Sequence, residues 1–135
     1  MAFFKNFFDD TYFNHITEHN GYLYAVGTYS TSPTNSSGMF CKMDLQGNII
    51  FFKTHNFNNE ITSFKHLLVV QETVLSSNEA VIVSGGFGSS FAESFVCRLS
   101  ADDGSVMWNK SFPNHRLLGS TEYASIVRMN EQDFI

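Results

Sequence analysis

The sequence predicts an all-β protein built of four-stranded antiparallel repeats, and three observations predict it. The first is composition: fifteen Phe, five Tyr and one Trp stand against two Pro in 135 residues, and aromatic side chains suit a pleated, half-buried surface. The second is an internal repeat. Phe95 to Phe112, FVCRLSADDGSVMWNKSF, restates Met39 to His55, MFCKMDLQGNIIFFKTH, with Cys41 over Cys97, Lys42 over Arg98, Met43 over Leu99, Gly47 over Gly104, Phe51 over Trp108 and Lys53 over Lys110. A spacing of 56 to 57 residues, with one residue inserted at the turn, marks an architecture of repeated units. The third is the regular supply of turn formers between short apolar runs.

Residues 1–12 form a Phe-rich segment. Phe3, Phe4, Phe7, Phe8 and Tyr12 recur at spacings of three and four, which puts most of the rings on one side of a short helix. Such a segment either packs its rings over its own domain or docks them into a partner's groove. Phe3, Phe4, Phe7 and Phe8 are accordingly candidate partner contacts.

The first repeat spans residues 13–57. FNHITEH is a strand closed by Asn20-Gly21, a strong hairpin signal, and YLYAVGTYS returns from it. This second strand is apolar on both faces from Tyr22 to Val26, as in a strand covered on each side. TSPTNSSG, residues 31–38, holds only turn formers and reads as a surface loop. MFCKMDL and IIFFKTH then pair about a turn at 46–48. The second repeat spans 58–113: HLLVVQETVL, a turn at 76–79, AVIVSGG, a loop over 86–94, FVCRLS, the ADDG turn, and SVMWNKSF. Gly27 falls on Gly85 at a spacing of 58. A third repeat starts in 114–135, where Phe134 and Ile135 match Tyr22 and Leu23.

Charge narrows the function classes. Eight Lys and Arg face thirteen Asp and Glu, a net charge of −5, with no basic run, and phosphate neutralisation needs a clustered positive face. Nucleic acid is excluded as a partner. No apolar run approaches the roughly 18 residues of a membrane span. MAFFKNFFDDTYF is broken by Asn6, Asp9 and Asp10 before a signal-peptide core forms, which leaves the cytoplasm or an export route without such a signal.

The motifs that suggest chemistry read better as structure. His15-Ile16-Thr17-Glu18-His19 fits the H-x-x-E-H string of zinc peptidases. That string needs a helix, and Ile16, Thr17 and the Asn20-Gly21 turn oppose one. On a strand His15, Thr17 and His19 share a face and Glu18 points away. Gly85, Gly86 and Gly88 complete no phosphate-binding pattern and mark a tight turn or bulge. Asp102 and Asp103 are turn residues. Cys41 and Cys97 hold the same place in successive repeats, farther apart than the roughly 7 Å a disulfide spans, so two buried free thiols are expected. No metal site and no cofactor are expected.

Four-stranded units of this period, each closed by a hairpin of the type L-x-x-x-x-G-x-x-x-W, resemble the blades of β-propellers, nearest the quinoprotein-like and related bacterial propeller repeats. Leu99, Asp103, Gly104 and Trp108 carry the likeness, and Leu45, Gly47 and Phe51 carry it loosely. The resemblance implies a partial β-propeller of about two and a half blades, the N-terminal part of a longer chain, with strand edges open to self-association. The alternative architecture is a β-sandwich. The expected function is a non-catalytic binding or scaffold module that offers loops 30–38 and 86–94 to a protein partner or large assembly, cargo or an accessory part of a bacterial secretion apparatus among them. A sugar- or small-molecule-binding propeller, with Tyr29 and Phe87 as an aromatic platform, is the alternative, and a fragment of a quinoprotein-like oxidoreductase is the third.

Overall fold

Strand side chains alternate between two faces, so the placement of apolar residues along each strand dictates which faces must meet. The computed structural model describes residues 10–32, 35–57, 59–71, 79–88 and 93–112. They form β1 (Thr11–His19), β2 (Tyr22–Ser32), β3 (Asn35–Asp44), β4 (Ile49–His55), β5 (Thr62–Gln71), β6 (Glu79–Phe87), β7 (Glu93–Ser100) and β8 (Val106–Phe112). The first four make one sheet and the last four another, each in sequential order. All neighbours pair antiparallel. The fold is all-β.

The two sheets repeat each other in register. Ala25 pairs with Cys41 in the first, and Val83 pairs with Cys97 in the second. Irregularities fall at matching places: between Phe13 and His15 in β1 and between Phe64 and His66 in β5, then between Lys42 and Met43 in β3 and between Arg98 and Leu99 in β7. His15 and His66 therefore occupy equivalent positions.

The faces that meet are unlike. Tyr24, Val26 and Phe40 of the first sheet form one core with Val81, Val83, Phe95, Cys97 and Leu99 of the second. The first sheet turns Ala25, Met39, Cys41 and Met43 to its other side, and these are the counterparts of Val83, Phe95, Cys97 and Leu99. The second sheet turns Ala80, Ile82 and Val70 away from the first. Front meets back, so the contact is head to tail. Phe64 sits at its centre, fully buried among Phe57, Phe95 and His55.

Two details lock the seam. Asn14 donates to the Phe64 carbonyl at 2.8 Å, and the Leu67 amide donates to His15 Nδ1 at 3.0 Å. Both groups belong to β5, the edge strand of the second sheet, whose unpaired backbone would otherwise invite another strand. Farther out, Phe51 packs over the β7–β8 turn. Gly104 there has φ +77° and Phe51 Cε1 stands 2.8 Å from where a β-carbon would be, so only glycine fits without displacement.

Several sequence expectations change. Thr11 and Tyr12 open β1 rather than closing a helix, and residues 1–9 of the Phe-rich segment lie outside the described residues, as do 113–135. The eight-residue loop at 31–38 shrinks to a hairpin, since β2 runs to Ser32 and β3 begins at Asn35. Polar strand ends are stabilised there by the Ser30–Ser36 hydroxyl pair at 2.9 Å. The cysteines are free and buried in separate layers, and burial pushes the Cys97 thiol up, away from ionisation.

Candidate functional site

The connection from β4 to β5 turns beside the β2–β3 hairpin. Asn59 takes φ 56°, a left-handed conformation that Asn tolerates. Thr62 Oγ1 accepts from the Phe57 amide and donates to the Glu60 carbonyl. Asn56 Nδ2 donates to the carbonyls of Ser36 and Glu60 while its Oδ1 accepts from Ser37. Asn56 is thus a strut between hairpin and connection. The result is an open polar pocket of about 230 Å³ lined by Asn35, Ser36, Asn56, Asn59, Glu60 and Ile61.

Among the described residues no cationic side chain lines this pocket, and Glu60 leans over Gly88 with Glu93 nearby. Its amides, hydroxyl and carboxylate suit a neutral polyhydroxy ligand or a basic side chain, and disfavour an anion. Of the two segments expected to face a partner, 30–38 supplies Asn35 and Ser36 to the lining, and Gly88 of 86–94 meets the Glu60 carboxylate beside it.

The predicted aromatics are elsewhere. Tyr29 is half-buried and packs edge to face on Phe52 at 6.1 Å. Phe87 is 1% exposed and packs against Phe95 inside the core, so it cannot serve as a surface platform; the strand continues two residues farther than the glycine run suggested. Phe3, Phe4, Phe7 and Phe8 lie outside the described residues. Trp108, one of the residues that carry the propeller likeness, is 45% exposed on β8.

A second polar cluster was not visible in the sequence. Glu79 at the start of β6 accepts from Asn20 Nδ2 at 2.9 Å and from the Tyr24 hydroxyl at 3.1 Å, with His19 Nε2 3.8 Å away. Burial, and next the Glu79 carboxylate, hold the Tyr24 hydroxyl in its protonated form. Beside it Lys42 reaches over the ring of Tyr22 and donates to the Ala101 carbonyl at 3.0 Å. The contacts to Glu79 and to Ala101 tie sheet to sheet. No local pattern announces them, because each partner sits more than 50 residues away in the chain.

The H-x-x-E-H string is dispersed: His15 bonds to Leu67, His19 faces Glu79, and Glu18 points outward. Gly85 abuts the Ser63 carbonyl and the Phe95 ring, so it serves close packing rather than phosphate binding. Among the described residues no three His, Cys, Asp or Glu side chains gather as a metal site. None of their helices is long and apolar enough to cross a membrane.

The class defined by these features is an all-β protein of two repeated four-stranded sheets with a polar pocket at one loop end. Comparison with family models, curated proteins and solved structures gives no match.

Proposed function

We propose that the chain is a non-catalytic binding or scaffold module of β-propeller type. The observation that carries this reading is the head-to-tail stacking. A sandwich closed by two like faces ends after two sheets, whereas front-on-back stacking admits further units of the same kind. The inner strands lie side by side, with the equivalent rings of His15 and His66 only 5.5 Å apart. So short a separation supports equivalent strands gathered about a common axis, as in a ring of repeated units. Partners would meet the loop end where the pocket lies, and residues 1–12 would add a second contact.

The test has two parts. Light scattering on the native product should give a mass that accommodates at least four units, within one chain or among several; a monomer of 15.3 kDa would eliminate the propeller. Capture of partners with and without residues 1–10 then asks whether the Phe-rich segment contributes, and an unchanged partner list would remove it.

A second reading rests on the pocket itself. Its polar lining favours a sugar or another small polyhydroxy compound. A ligand that binds only the folded state raises the melting temperature, so a thermal-shift screen of neutral saccharides should find a hit that Asn59→Ala together with Glu60→Gln abolishes.

A further inference from the structure

The chain has five histidines, and the four described ones all lie in the seam between the sheets. His15 of β1 accepts the Leu67 amide hydrogen at Nδ1 and meets the ring of His66 of β5 edge-on. His55 of β4 stacks on Phe64 of β5 at 6.0 Å and its Nε2 lies 2.9 Å from the Gly104 carbonyl in the β7–β8 turn. His19 faces Glu79 of β6. Sequence separations of 49 to 52 residues confirm that these are contacts between sheets rather than within hairpins.

We propose that the seam is an acid-sensitive joint, in which protonation of His55 and His66 loosens the first sheet from the second along β1–β5 and where β4 meets the β7–β8 turn, while Glu79 keeps hold of the β2 end. The chemistry at each contact supports this. His15 Nδ1 is the acceptor for the Leu67 amide, so this contact lasts only while β1 and β5 stay together. His66 faces His15 and Lys65, so a second positive charge there meets repulsion. Burial first, then His15 and Lys65, lower its basicity. Burial likewise lowers that of His55, reinforced by Lys53 and opposed by the Gly104 carbonyl. At the other end of the seam His19 Nε2 lies 3.8 Å from the Glu79 carboxylate.

The sign follows from linkage. Both lowered histidines are less basic folded than unfolded, so their contribution is complete above the unfolded value of 6.5. It is lost as pH falls from there toward the folded values. An acidic compartment or medium would therefore open the seam, which is the kind of control a module needs to release a partner or a neighbouring unit.

Amide exchange at Leu67 in the intact chain, corrected for the intrinsic effect of pH, tests this. Between about pH 7 and about pH 5 its protection should fall about tenfold or more, the equivalent of one pKa unit. Amides of the β6–β7 ladder should change less. The double variant His55→Gln, His66→Gln should lose most of that pH response. Unchanged protection in the wild type, or an equal fall in the double variant, overturns the proposal. Should the variant fail to fold, the imidazole resonances of the wild type decide: His55 and His66 must titrate below 6.5 in step with Leu67 exchange, and titration at or above that value refutes the joint.

Discussion

Phe51 and Trp108 occupy the same place in successive sheets and live in different surroundings. Phe51 is half-buried, edge to face with Phe40 at 5.2 Å and pressed against Gly104 of the next sheet. Trp108, the larger ring, is 45% exposed. The flanking positions agree, with Ile49 and Ile50 exposed on β4 and Val106 and Met107 exposed on β8, so the outer strands as such are alike. What differs is the neighbour. The first sheet has a turn with a glycine laid over its outer strand, and the comparison teaches that this contact belongs to the joint between units rather than to the unit.

The strongest test of that contrast lies at Phe64 and its counterpart Phe13. Phe64→Ala removes the centre of the seam and should cost about 3–5 kcal/mol in urea unfolding. Phe13 is only half-buried beside the Met39 and Cys41 layer, and Phe13→Ala should cost less than half as much; equal costs would mean that the two faces are equally enclosed. Next in size, Phe51→Ala should destabilise by about 1–2 kcal/mol, and Trp108→Ala clearly less despite the larger ring. Parity between them would erase the distinction drawn above. Tyr24→Phe, which takes one donor from Glu79, should cost about 1 kcal/mol and leave the fold intact.

The smallest effect concerns the turns. Asp44 accepts from the Gln46 and Asn48 amides, and Asp103 from the Ser105 amide and hydroxyl. Hydrogen bonds hold both carboxyls below the usual value of 3.8, led by the Asn48 and Ser105 side chains. Their contribution is complete above that value and is lost as pH falls through the lower folded values. The melting temperatures of wild type and Asp44→Ala should therefore converge on acidification below 3.8. Both groups are exposed, so this shift should be the least of the series.

Much of this architecture could be read directly. The Asn20-Gly21 hairpin, the glycine turns at Gly47 and Gly104, and the coincidence of Cys41 with Cys97 are local signals, and each locates strands correctly. The correspondence of β1 with β5 escaped. Phe13-x-His15 and Phe64-x-His66 are 51 residues apart, whereas the next strands are 58 apart, because the connection after β5 is longer than Asn20-Gly21. A fixed spacing therefore slides past the match. The pocket escaped for another reason: Asn56, Asn59 and Glu60 look like ordinary linker residues until Asn56 is seen to bond across to Ser36. The run of Ser, Thr and Asn before Gly38 suggested a loop by composition, yet hydroxyls paired across strands let it stay extended.

Asn14 and His15 were described above as the residues that occupy the free backbone groups of β5. Seen as insulation, they have a wider consequence. A strand whose border is plugged by side chains can stand next to another sheet without fusing into it, and the two sheets keep separate hydrogen-bond ladders across a shared core. Replacing both by alanine would strip that insulation and leave a bare ladder on which a foreign strand can grow, so the damage would register first as fibrous material in a chain whose individual sheets are still formed.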